Sequence, residues 1–154
     1  MSAPAEPIIR VEDVTIAYGD RVVLSGVSFE VRRGEVFVIL GGSGCGKSSL
    51  LKHLIGLRRP REGRILIDGR DVTAAEGAER RAILRSFGVM YQSGALFGSL
   101  TVHENVRLPL DELTDLAEGQ KNALALALLR RVGLAHAATR LPAELSGGMV
   151  KRAA

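Results

Sequence analysis

Within nine residues, Gly41-Gly42-Ser43-Gly44-Cys45-Gly46-Lys47-Ser48-Ser49 gathers four glycines, three serine hydroxyls and a lysine. Gly41 through Ser48 fits the pattern G-x-x-x-x-G-K-[ST] without a mismatch. Glycines let the backbone turn its N–H groups inward and approach phosphate oxygens closely. A helix N-terminus behind them adds a partial positive charge. Lys47 then bridges terminal phosphates, and the Ser48 hydroxyl ligates Mg²⁺. A glycine-rich turn that happens to contain Lys-Ser is the plainer alternative.

The flanking elements bear on that choice. Val36-Phe37-Val38-Ile39-Leu40 is apolar and rich in β-branched residues, and it predicts a buried strand that the glycines terminate. From Ser48 the spacing changes: Leu50, Leu51, Leu54, Ile55 and Leu57 recur at helical intervals, and Gly56 falls where a helix ends. Strand, glycine loop and helix together predict a nucleotide phosphate-binding loop.

At 154 residues the chain is one domain or part of a larger one. A hydrophobic content of 46% with 25% charged residues describes a globular protein able to bury a core. The net charge of +4 comes mostly from scattered arginines, apart from Arg58-Arg59-Pro60-Arg61 and Arg64. No aromatic residues interleave there, so the run predicts a solvated loop, and no nucleic-acid partner is expected. Cys45 is the only cysteine, which excludes an internal disulfide and points to a reducing compartment. Inside the phosphate loop it reads as a small filler whose backbone binds. Met1 to Arg10 has neither a charged n-region nor an apolar h-region, so no signal peptide is expected. Apolar runs such as Ala123 to Leu129 are too short to span a bilayer, so a membrane role would be peripheral or through a partner.

Along the chain, Ile8 to Tyr18 and Val22 to Val31 predict two short strand pairs around a Gly19-Asp20 turn. Ile65-Leu66-Ile67 predicts a strand closed by Asp68-Gly69. A helix over about Ala75 to Arg85 and a strand from Phe87 to Tyr91 follow. Antiparallel hairpins before the phosphate strand and a parallel α/β pattern after it suggest two sub-regions. Ser99 or Thr101 can cap a helix holding Val102, Val106 and Leu108, which Pro109 should stop. Glu118 to Val132 predicts an amphipathic helix ended by Gly133. Ser146-Gly147-Gly148 then places a hydroxyl and two glycine N–H groups at a helix start, with Lys151 and Arg152 nearby: a second anion site. Alone, Ser-Gly-Gly is more often a cap or a turn.

Taken together, Tyr18, Val27-Ser28-Phe29 with Gly34-Glu35, Gly41–Ser49, Gln92 and Leu145-Ser146-Gly147-Gly148 resemble the ATP-binding cassette ATPases of ABC transporters, from Ile8 to Ala154. The resemblance implies an α/β phosphate-loop fold with an N-terminal antiparallel β sub-region and a helical sub-region, the C-terminal part of the parallel sheet being absent. Residues 1–154 are then the N-terminal portion of a nucleotide-binding domain. It implies ATP and Mg²⁺ as ligands, with Gly41, Gly42, Ser43, Gly44, Cys45, Gly46, Lys47, Ser48 and Ser49 around the phosphates. Tyr18 would stack on adenine. Gln92 would join Ser48 on Mg²⁺, position water and relay the site's state. Ser146, Gly147 and Gly148 would face the ATP of a second ATPase subunit in a head-to-tail dimer. Ser93 to Asn105, with Leu96 and Phe97, would dock on a membrane permease, and the protein would sit peripherally on the cytoplasmic face of the bacterial inner membrane. Tyr91-Gln92-Ser93-Gly94-Ala95-Leu96-Phe97 and Met149 further resemble the Mla-type phospholipid-transport ATPases, which implies an MCE-type lipid-binding partner.

Hydrolysis in this family uses an apolar strand ending in Asp-Glu after the signature, and a later switch His. Neither occurs among the 154 residues, so no turnover and weak nucleotide binding are expected of this chain alone, with Lys47 and Gln92 only supporting catalysis. Leu108-Pro109-Leu110-Asp111-Glu112 imitates the strand, but a proline breaks it and it precedes the signature. Ile65-Leu66-Ile67-Asp68 is better read as a hairpin. His53, His103 and His136 read as helix or loop surface positions. Other readings are a kinase or GTPase, a non-catalytic binding fragment, and the chromosome-structure ATPases. A GTPase needs an Asn-Lys-x-Asp run that is absent, and the last class separates its motifs by a coiled coil, whereas Lys47 and Ser146 stand 99 positions apart without heptads.

Overall fold

The computed structural model describes residues 6–154, so the first five residues of the stretch read as lacking a leader lie outside the described residues. It comprises two compact units, one running through Gly88 and one spanning Val89–Ala154.

In the first unit β1 (Ile9–Tyr18) and β2 (Arg21–Val31) form one antiparallel hairpin, in place of two short strand pairs. Tyr18 pairs with Arg21 across the predicted turn. The hairpin carries enough apolar residues on one face to remain continuous: Val11, Val14 and Ile16 are buried. A bulge interrupts it at Asp13, whose φ is 47°. The Ser28 hydroxyl holds that bulge, accepting from the Asp13 N–H at 2.9 Å and donating to Asp13 Oδ1 at 3.2 Å. β3 (Glu62–Ile67) pairs with the other edge of β1, and β4 (Arg70–Asp71) closes the order β2-β1-β3-β4. Asp68 and Gly69 both have positive φ, as their tight two-residue turn requires. Helix α1 (Lys47–Leu54) buries Leu50, and α2 (Gly77–Leu84) buries Ile83, in a core with Val11, Ile65, Ile67 and Val72.

Two predicted strands are not formed. Val36 to Leu40 has no regular structure, and Val36 and Leu40 are 89% and 87% exposed. Phe87 to Tyr91 is likewise irregular. An unbroken apolar run marks a strand covered on both faces and flanked on both edges. Among the described residues every strand pairing is antiparallel, and none involves these segments. Phe37 stacks on Phe29 at 4.9 Å, and Phe87 packs against the core of this unit without joining its sheet.

The second unit is helical. Helix α3 (Val102–Leu113) begins at Thr101 in a capping box: the Thr101 hydroxyl accepts from Glu104 N–H, and the Glu104 carboxylate accepts from Thr101 N–H at 2.7 Å. Those bonds from Thr101 hold the Glu104 carboxyl below the usual range. Pro109 does not stop this helix but lies inside it. It is exposed, and the turns beyond it hold through Arg107, which bonds Asp111 four residues on at 3.1 Å and Asn122 Oδ1 at 2.8 Å. The helical placement of Asp111 and Glu112 also confirms that this Asp-Glu is not a strand end. Helix α4 (Glu118–Arg131) ends ahead of Gly133, and Leu129 joins Val102 and Leu134 in the core. Helix α5 (Gly147–Ala153) closes the described residues.

Candidate functional site: the phosphate loop

The loop that precedes α1 is shaped by one residue more than by any other. Gly46 has φ 98° and is buried, and a Cβ there would stand 3.1 Å from Leu24 Cγ and from Val23 Cγ1. Only glycine turns the chain this sharply while pressed against β2. Helix α1 consequently begins at Lys47 with no side-chain cap, leaving its first N–H groups open. Gly41 is constrained less, because the atom its Cβ would crowd, Cys45 Sγ at 2.5 Å, is the end of an exposed side chain, and Gly42 has open space. The Cys45 N–H closes the turn on Gly42 O at 3.4 Å.

Lys47 reaches back over this loop. Its ammonium donates to Gly41 O at 2.6 Å and Gly42 O at 2.7 Å, and lies 3.5 Å from Cys45 Sγ. Neutral carbonyls solvate a charge without cancelling it, so the loop keeps a net positive field above an uncapped helix end. A polyanion fits that field. Ser48 is exposed at the second position of α1, where its hydroxyl is free to meet a cation held by such an anion. A resident metal cage is not present: among the described residues no three His, Cys, Asp or Glu side chains cluster. The Ser48 hydroxyl is an oxygen ligand of the kind Mg²⁺ takes.

Tyr18 stands at the end of β1 with its hydroxyl donating to Ser49 Oγ at 3.3 Å, which ties the ring to α1. The predicted phosphate-loop residues and Tyr18 thus belong to one unit. Gln92 and Ser146–Gly148 belong to the other. Gln92 is exposed in a turn that the Gly94 N–H closes on Tyr91 O at 3.0 Å. Gly94 is buried at φ 81°, and its missing Cβ would lie 2.8 Å from Val150 Cγ1 of α5. Ser146 caps α5, its hydroxyl accepting from Met149 N–H at 3.3 Å, and Gly147 and Gly148 are exposed with open space beside them.

Several features were not anticipated from the residue pattern. His53 is 2% exposed in place of lying on the surface, with its Nδ1 2.7 Å from Ser49 O one turn back. The basic run is not simply solvated: Arg59 pairs with Glu76 at 2.8 Å, and the Arg58 guanidinium lies 5.2 Å from the Tyr18 ring centre. Asn105 holds the predicted docking segment together, accepting from Phe97 N–H at 2.7 Å and donating to Leu100 O and Thr101 O at 3.0 Å. Phe97 remains 58% exposed, while Leu96 is half-buried. The Arg59–Glu76 and Arg58–Tyr18 contacts depend on which residues the fold brings together, and no local spacing signals them.

A family model described as ABC transporter matches residues 24–154. The chain belongs to the ABC transporter family. Within the family it is 40% identical over 147 residues to the intermembrane phospholipid transport system ATP-binding protein MlaF of Haemophilus influenzae, covering 96% of this chain and 56% of that protein. It is 42% identical over 151 residues to the methionine import ATP-binding protein MetN of Rhizobium johnstonii, covering 98% of this chain and 41% of that protein. The chain therefore spans about half the length of these curated relatives. Its fold matches a dimeric post-hydrolysis structure of the ATP-binding cassette MJ0796 bound to ADP and Pi. The TM-score is 0.81 at 30% identity, covering 94% of this chain and 68% of that one. The α/β phosphate-loop fold of the ABC ATPases, with its antiparallel β and helical sub-regions, is thereby established. No helix among the described residues is long and apolar enough to cross a membrane.

Proposed function

We propose that this chain is the N-terminal portion of the nucleotide-binding domain of an ABC transporter subunit, binding and, in the whole protein, hydrolysing ATP to drive transport through a membrane permease. The observation that carries this reading is the loop itself: Gly46 at φ 98° opens the N-terminus of α1 while Lys47 crosses it. Gly41–Ser49 supply the phosphate cradle, Lys47 the counter-charge at the terminal phosphates, and Ser48 a ligand for Mg²⁺. That ion, when bound, neutralises charge building on the β- and γ-oxygens. Tyr18 stacks on the base. Ser146, Gly147 and Gly148 address the nucleotide of a second ATPase subunit across a head-to-tail dimer. The segment Ser93–Asn105, with Phe97 exposed, docks on the permease at the cytoplasmic face of the bacterial inner membrane.

Phospholipid is the favoured cargo, with an MCE-type lipid-binding protein as a further partner. The similarity to MlaF supports this, and the comparable identity to MetN shows why cargo does not follow from the ATPase sequence. The test of the nucleotide site is Lys47→Ala in a direct binding assay with ATP and Mg²⁺. Affinity should fall at least about tenfold, the cost of one charge-assisted contact to a phosphate. Unchanged affinity with an intact fold overturns the assignment.

A further inference from the structure

Four of the arginines that follow α1 in sequence, Arg58, Arg59, Arg61 and Arg64, look interchangeable by composition, yet the structure gives them different work. Arg59 and Arg64 each pair with a carboxylate, Glu76 and Glu12 respectively. Arg58 instead lays its guanidinium over an aromatic ring, with Cζ 5.2 Å from the centre of Tyr18. That placement is built by the backbone on both sides. Gly56 at φ 70° ends α1, and the N–H groups of Leu57 and Arg58 both return to Lys52 O, at 2.9 and 3.2 Å. Three residues later Arg61 N–H bonds Thr15 O at 2.9 Å, so the segment is pinned to α1 at one end and to β1 at the other. Tyr18 is fixed separately through its hydroxyl on Ser49, and the residue remains 36% exposed.

We propose that Arg58 is part of the base-binding platform, backing one face of the Tyr18 ring so that the opposite face receives the purine of a nucleoside triphosphate. This deepens, and rests on, the assignment of the phosphate loop as a nucleotide site. An aromatic ring has two electron-rich faces. A guanidinium on one of them holds the ring's angle and draws electron density from it, which favours a stacked, electron-rich base on the other. Arg58 thereby acts on the base alone and contributes nothing to phosphate binding.

The test separates base from phosphate by comparing ATP with inorganic triphosphate as probes in a calorimetric binding assay. Arg58→Ala should weaken ATP about two- to fivefold, the size of an exposed cation–π contact, and leave triphosphate affinity unchanged. Arg58→Lys, which keeps charge but loses the flat fork, should fall between. A second readout uses the absence of tryptophan and the presence of only two tyrosines. In a Tyr91→Phe background Tyr18 is the sole emitter, and ATP should quench it less completely once Arg58 is removed. Equal losses for ATP and triphosphate would make Arg58 a phosphate or general charge contact. Tighter ATP binding would make it a competitor of the base, and no change would make it a bystander; each of these overturns the proposal. Lys47→Ala in the same assay distinguishes this from failure of the site itself, because there both probes should be lost together.

Discussion

Gly46→Ala tests whether the phosphate loop stores backbone strain that only glycine avoids. The dihedral at φ 98° costs an L-residue about 1–3 kcal/mol. The new methyl would also press Val23 Cγ1 and Leu24 Cγ at 3.1 Å, an overpacking that adds about 1 kcal/mol. The sum, about 2–4 kcal/mol, must appear somewhere. If the loop keeps its shape, the loss appears as stability, and the urea midpoint of the first unit falls by about 2 M at a slope near 1.5 kcal/mol/M. If the loop relaxes instead, the midpoint holds, but the N–H groups turn away and ATP affinity falls at least about tenfold. Gly42→Ala is the matched control: its Cβ meets nothing within 4 Å and its φ is not positive, so stability should hold within about 0.5 kcal/mol. Equal midpoints and equal affinities for the two alanine variants refute the reasoning.

Gly63→Ala should be harsher. At φ 82° its Cβ would lie 2.4 Å from both Glu12 O and Asp13 O, backbone atoms of the β1 bulge that cannot swing aside. A loss of about 3–5 kcal/mol is expected by denaturant unfolding, and a loss under 1 kcal/mol would contradict the packing described. Pro109→Ala should stabilise the second unit by about 1–3 kcal/mol and raise its helical circular dichroism, since an exposed interior proline gives way to a residue that can bond. The capping box predicts a pH effect of definite sign. Glu104 titrates lower when folded, so its contribution is complete above the unfolded value near 4.5 and disappears as the pH drops through the folded one. Thr101→Val loses only the hydroxyl bond and keeps the backbone N–H that is the larger cause, so it should reduce that acid dependence, and Glu104→Gln should remove it, a comparison readable from unfolding midpoints at pH 3 and pH 6.

The parts of the fold that were legible in the sequence are those whose determinants are local. The Gly41–Ser48 spacing announces its own loop, the Asp68-Gly69 pair its own turn, and Ser99 or Thr101 a cap, which falls at Thr101. Val36–Leu40 misled because its pattern reports the environment a strand needs, and nothing among the described residues provides that environment. Pro109 misled for the opposite reason: a local breaker is overridden by the bonds Arg107 makes, to Asp111 one turn on in the same helix and to Asn122 of α4. At the candidate site, motif spacing pointed to Lys47 and Ser48, and the family resemblance pointed to Tyr18. It could not find Arg58 on Tyr18, because an arginine forty residues downstream of a tyrosine carries no mark of the contact.

The seating of Gly94 against Val150 has a consequence for the rate at which these motifs open. The amide of Gly94, bonded to Tyr91 O, and that of Val150, bonded to Ser146 O, lie on the two sides of one glycine-sized gap. Neither side can swing out without uncovering the other. Hydrogen exchange at the two amides should therefore report a single opening free energy, and a destabilising change at either should speed exchange at both. In this sense the turn that carries Gln92 and the helix that begins at Ser146 unfasten as one latch.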